Sequence, residues 1–219
     1  MDYTGARRWH LATAVVVIGA LVLQFVLVVT GEGVLLDAER PGLGVEIGRY
    51  FSYFTIQSNI LGAIGVAMLA QYPLRDGRTW RAVRLAGVVG LAVTALVHFF
   101  LLRPLLDLDG LSYVCDKLLH MVSPAMVLIG WFVFGPRPRV TAREIGWSLG
   151  WVALWTVWTL VVGAVTGWFP YPFMDYDEKG WGAVLVAVVG ITVLFVAFFL
   201  AAARFDRRFA PAPVRATTG

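Results

Sequence analysis

Leu11-Ala12-Thr13-Ala14-Val15-Val16-Val17-Ile18-Gly19-Ala20-Leu21-Val22-Leu23-Gln24-Phe25-Val26-Leu27-Val28-Val29-Thr30 is an apolar run broken only by Thr13 and Gln24. Its roughly twenty residues, rising about 1.5 Å each as a helix, match a hydrocarbon core of roughly 30 Å, so the run reads as a transmembrane span. Arg7 and Arg8 precede it, as basic residues precede a signal peptide. A signal peptide's apolar region is normally about 7–15 residues, however, and the greater length here favours an uncleaved helix.

Outward from this run, comparable stretches recur at about 46–71, 83–102, 111–134, 145–168 and 181–203. Composition agrees: 59% of the 219 residues are hydrophobic and 15% charged, with a mean hydropathy of +0.75, too apolar for a soluble domain. The expected fold is all-α, a polytopic membrane protein whose single domain, residues 1–209, is a six-transmembrane-helix bundle. A Pro, Ala and Thr rich tail, 210–219, is expected to be disordered.

A net charge of +4 suggests nucleic acid in a soluble chain, but here the basic residues sit in short loops between spans and report topology instead. With the N-terminus inside, the inner segments hold 13 Lys and Arg and the outer ones 5, and ten of the fourteen acidic residues lie outside. Both termini are therefore expected on the cytoplasmic side of the cell membrane. Cys115 is the single cysteine, so no intrachain disulfide forms.

Two spans carry polar residues where lipid is expected. Read as one helix, 46–71 brings Gly48, Ser52, Thr55, Ser58, Asn59 and Gly62 onto one face, within roughly 60° of Thr55. In the fourth span Tyr113, Asp116 and Ser123 share a face with His120, and Pro124 removes the donor that would bond the His120 carbonyl, which predicts a kink. Thr55 lies nine residues after Glu46 and His120 nine after Leu111. At 1.5 Å per residue both are about 13 Å below the outer boundary, at one level.

Asp116, one turn above His120, can hold one ring nitrogen and leave the other as a base. Thr55 and His120 then form a candidate nucleophile and base, with Ser52 and Asn59 as candidate oxyanion donors. Spacing leaves other readings open. His120 can simply bond Ser52, Thr55 or Asn59 to lock two helices, Thr55 can bond back to the Phe51 carbonyl, and the same stripes can line a transport or lipid-binding path.

Tyr53-Phe54-Thr55, Leu119-His120-Met121-Val122-Ser123-Pro124 and Val165-Thr166-Gly167-Trp168-Phe169-Pro170-Tyr171-Pro172-Phe173-Met174-Asp175 together resemble the FAR-17a/androgen-induced-gene family of multi-span membrane proteins, and most closely its compact bacterial branch. The resemblance covers nearly all six spans. It implies a membrane threonine hydrolase that splits lipid esters, with Thr55 as nucleophile and His120 as base. No cofactor is implied; the substrate would be a medium or long fatty-acyl ester arriving from the bilayer.

Other candidates stand beside this pair. His98, Asp116 and His120 offer two imidazoles and a carboxylate for a metal-dependent lipid hydrolase, though no HExxH motif accompanies them. Cys115 lies about 140° around the helix from His120, which excludes a dyad within that span. Trp147, Trp151, Trp155 and Trp158 form a stripe read as packing, and Gly146/Gly150 and Gly163/Gly167 as sites of close helix approach. Trp168, Tyr171 and Trp181 read as interfacial anchors, with Tyr171, Asp175, Tyr176 and Asp177 able to cover the site. Gln57 points away from Thr55, toward another helix.

Overall fold

The computed structural model describes residues 3–31 and 41–209; the tail 210–219 and most of the loop between the first two spans lie outside them. Among the described residues the chain is all-helical, with six helices long and apolar enough to cross a membrane. α1 is Thr4–Thr30, α2 Leu43–Ser52, α3 Phe54–Gln71 and α4 Arg78–Val97. α5 is Gly110–Lys117, α6 Ser123–Phe134, α7 Ala142–Thr166 and α8 Tyr176–Arg208, the last broken at Gly180 (φ 78°, ψ 152°).

α3 and α4 pack closest. A Cβ on Gly87 of α4 would stand 2.6 Å from the Gly62 nitrogen of α3, and one on Gly90 2.9 Å from Ser58 Oγ, so glycine permits the approach. The α7 glycines do other work. Nothing lies within 4 Å of a Cβ on Gly146 or Gly150, Gly163 makes room for the Phe169 ring, and Gly167 ends the helix at φ 68°. Apolar side chains face both ways: Leu85, Leu91, Val93, Phe195 and Phe199 fill the core, while Leu154, Val165, Val186 and Val193 point outward. An outward apolar face of this kind is stable against lipid and costly against water.

Where the spacing predicts one helix over 46–71, the chain breaks at Tyr53 (φ −66°, ψ 128°). No Pro or Gly marks the break, because its compensation is tertiary. Gln57 Nε2 donates to the freed Phe51 carbonyl at 3.0 Å and Trp155 Nε1 to the Ser52 carbonyl at 2.9 Å. The unpaired Thr55 amide donates to the Tyr171 hydroxyl at 3.3 Å. The Tyr53 ring meets Trp168 and Tyr171 edge-on, at 5.7 and 5.9 Å. The span therefore begins at Phe54, and depth counted from Glu46 does not hold for Thr55.

Proline acts near His120 differently from a simple kink. Leu118–Val122 forms a π turn closed by the Ser123 amide on the Leu118 carbonyl, just before Pro124. His98 opens a second π turn, His98–Leu102, just before Arg103-Pro104. Such wide turns re-aim side chains that regular helices would hold elsewhere.

Candidate active site

Four elements meet where α3 begins. Thr55 is its second residue, so no helical carbonyl lies one turn back to take its hydroxyl; Thr13, Thr30, Thr156, Thr166 and Thr192 all bond back in that way. The Thr55 hydroxyl instead lies 3.3 Å from His120 Nε2 and 3.4 Å from the Tyr171 hydroxyl. His120 comes from the π turn before α6, Asp116 from α5, and Tyr171 from the loop between α7 and α8.

The tautomer follows from the acceptors. His120 Nδ1 lies 3.0 Å from the Asp116 backbone carbonyl and 3.0 Å from Asp116 Oδ1. Both oxygens only accept, so Nδ1 carries the proton and Nε2 turns its lone pair to Thr55. One consistent pattern results: the Thr55 amide donates to the Tyr171 oxygen, the Tyr171 hydroxyl to Thr55 Oγ1, and the Thr55 hydroxyl to His120. The last distance is slightly beyond the 2.6–3.2 Å of a tight base contact, as is common without substrate.

Asp116 is buried among cationic or protonated neighbours, which offsets its loss of water. Lys117 Nζ is 2.9 Å from Oδ2, and His98 Nε2 is 3.2 Å from Oδ1, at an angle outside hydrogen-bond geometry. The His98 ring stacks on His120 with centroids 3.8 Å apart, and both its nitrogens are buried without hydrogen-bond partners. One ligand atom from each of His98, Asp116 and His120 lies within 4.8 Å of the others, so the set of two imidazoles and one carboxylate is assembled in space. Its residue types suit zinc.

The structure gives Ser52, Asn59 and Ser123 other surroundings. Ser52 Oγ donates to the Gly48 carbonyl at 2.9 Å and accepts from Trp158 Nε1 at 3.2 Å, and its residue lines neither cavity described below. Asn59 Nδ2 bridges the Thr55 and Leu119 carbonyls at 2.8 and 3.3 Å, tying α3 to the π turn. Neither donor is aimed at an oxyanion on Thr55. Ser123 Oγ is buried, unpaired and away from both cavities. Cys115 packs against α1, with Sγ 3.3 Å from Gln24 Oε1, apart from the dyad.

Tyr171 is the neighbour whose role spacing does not predict. Burial pushes its phenol above the ordinary range, so it stays a donor at neutral pH. The Pro170 and Pro172 flanks and the aromatic run marked a stiff loop able to cover the site, but not the hydrogen bonds of Tyr171 to Thr55. The tryptophan stripe divides: Trp155 is buried, Trp151 donates to Gln57 Oε1 at 3.0 Å, and Trp147 faces outward.

Two cavities meet at Thr55. One of about 320 Å³ is lined by Tyr50, Tyr53, His98, Asp116, Leu119 and His120, with Glu46 and Arg49 also on its wall. The other, about 40 Å³, is lined by Phe54, Val97, Trp155, Phe173, Met174 and Phe195. Thr55, Leu102 and Tyr171 belong to both. Comparisons with models of known families, with curated proteins and with solved structures each give no match.

Proposed function

We propose that the chain is an intramembrane ester hydrolase with Thr55 as nucleophile and His120 as general base. The observation that carries this reading is the contact of Thr55 Oγ1 with the unprotonated His120 Nε2, 3.3 Å, on the wall of a cavity of about 320 Å³. As Thr55 attacks an ester carbonyl, its proton passes to His120, which then protonates the departing alcohol. Water, activated by the same imidazole, releases the acyl group from Thr55. The Tyr171 hydroxyl and the Thr55 amide are the nearest donors for the oxyanion.

The Lys and Arg distribution supports cytoplasmic termini, which puts this site near the outer face of a cell membrane, within reach of lipid esters from the bilayer. The same chemistry follows from the resemblance to the FAR-17a/androgen-induced-gene family. Thr55→Ala and His120→Ala should each abolish labelling by a fluorophosphonate probe while thermal unfolding in detergent is unchanged. Undiminished labelling in either variant would overturn the pair.

A second reading is favoured by His98, whose ring nitrogens are buried without hydrogen-bond partners beside Asp116 and His120. In it these three would hold a zinc ion, which would supply an activated water. The two readings compete for His120, because an imidazole that held a metal would not also be a free base for Thr55. Metal bound in stoichiometric amount, activity lost to a chelator and retained in Thr55→Ala would select the second.

A further inference from the structure

We propose that the esters this site cleaves have a short acid half and a long apolar alcohol half. This rests on the Thr55–His120 reading, departs from the medium or long acyl half that the family resemblance implies, and concerns which side of Thr55 each half occupies. When the tetrahedral intermediate collapses, His120 must give its proton to the alcohol oxygen. His120 lines only the larger cavity, so the alcohol leaves on that side. The acyl chain then lies across Thr55 in the smaller cavity, whose wall contains neither histidine and no carboxylate.

Volume sets the lengths. A cavity of 150 Å³ accommodates benzene, or roughly 25 Å³ per heavy atom. On that scale the 40 Å³ cavity holds about two carbons beyond the carbonyl and the 320 Å³ cavity about a dozen heavy atoms. Buried Met174, Trp155 and Phe195 bound the inner wall of the smaller space. The site is asymmetric in size, with the nucleophile at the junction.

The chemistry balances without a further reagent. Thr55 Oγ bonds the carbonyl carbon, the bond from that carbon to the alcohol oxygen breaks, and the alcohol leaves with the proton taken from Thr55. Water entering the vacated larger cavity gives a proton to His120, bonds the carbonyl carbon and displaces Thr55 Oγ, which regains the proton. The products are a short carboxylic acid and a long alcohol.

Decyl acetate and ethyl decanoate test this, being isomers of equal lipid character with the ester reversed. The native protein in detergent should hydrolyse decyl acetate at least about tenfold faster by kcat/KM, since misfit of even one methylene is worth roughly that much. Met174→Ala should move the preferred acyl group longer by about two carbons. Val188→Ile, one carbon larger on the half-buried wall of the same cavity, should lower propanoyl turnover relative to acetyl. Thr55-dependent turnover that favours ethyl decanoate would overturn this inference and leave the hydrolase reading standing. Turnover of neither ester, or turnover that survives Thr55→Ala, would overturn both.

Discussion

Each end of the bundle buries a histidine and a carboxylate beside a cation, which is buried at one end and partly exposed at the other, and the two ends use them differently. At the end formed by the start of α1 and the close of α8, Arg84 is buried, donates to the Gly135 carbonyl and to the Pro136 carbonyl at 3.1 Å, and stacks over Trp131 at 4.4 Å. Asp206 accepts the Arg139 and Val140 amides at 2.5 and 2.8 Å, and His10 meets the Phe134 ring edge-on at 5.9 Å. The space there is about 10 Å³, too little for more than one water-sized probe. Arg84 and Asp206 satisfy backbone, which makes them fasteners for the 135–141 loop. At the other end the His120 lone pair and the Thr55 hydroxyl turn into a cavity some thirtyfold larger. Burial of polar groups is common to both, so orientation toward open space is the feature that separates the proposed chemistry from fastening.

The sharpest way to break this contrast is to change one group at each end and read activity and stability separately. Asp116→Asn puts a neutral amide where the carboxylate meets His120 Nδ1 and weakens control of the ring tautomer. As a positioning residue it should lower kcat by about 10³–10⁴-fold, as loss of the orienting aspartate does in Ser-His-Asp enzymes, with thermal unfolding nearly unchanged. At the far end Arg84→Met leaves the Gly135 and Pro136 carbonyls unpaired and should destabilise by about 2–4 kcal/mol, measured by unfolding in detergent. Its kcat per folded molecule should match the native protein. An Arg84 variant that folds normally but loses activity would erase the distinction.

Tyr171→Phe is a smaller change within the active end. It removes the proposed oxyanion donor and the cap on the Thr55 amide and should lower kcat about 10²–10³-fold, with KM nearly constant because the ring remains. Burial keeps the phenol protonated past its ordinary value, so activity lost below about pH 10 belongs to another group. A Tyr171→Phe enzyme as fast as the native one would return the oxyanion role to backbone alone.

The six long apolar helices and the polar stretches around Thr55 and His120 were legible because apolar length and helical periodicity are local properties. The break at Tyr53 was not. Its carbonyls are paired by Gln57 and Trp155 and its amide by Tyr171, residues up to 116 positions away, and no local turn residue announces it. The same holds for His98: its place in the third span was readable, but the π turns that bring its ring within 3.8 Å of His120 arise where helix meets proline and neighbour together. Equal depth was inferred by counting a continuous helix, and the contact exists although that count fails.

The smallest expected effect lies at the surface of the fastening end and separates exposed charge from buried charge there. Asp76, between α3 and α4, accepts from Arg81 Nε at 2.5 Å and Nη2 at 2.7 Å and from the Gly77 amide at 2.8 Å. Those Arg81 hydrogen bonds are the chief reason its pKa is lowered from 3.8 to about 2; partial burial opposes them, and the Gly77 amide and the Arg139 charge add to them. A carboxylate depressed in the folded state stabilises above its ordinary pKa, and that contribution fades as pH falls from about 4 toward about 2. The pair is solvent-exposed, so the loss should stay under about 1 kcal/mol and shrink further in high salt. Asp76→Asn should flatten the Tm profile across that window and leave the Tm cost of Arg84→Met as large as before. A Tm loss in Asp76→Asn equal to that of Arg84→Met would mean that exposed charge, and not the buried guanidinium, fastens this end.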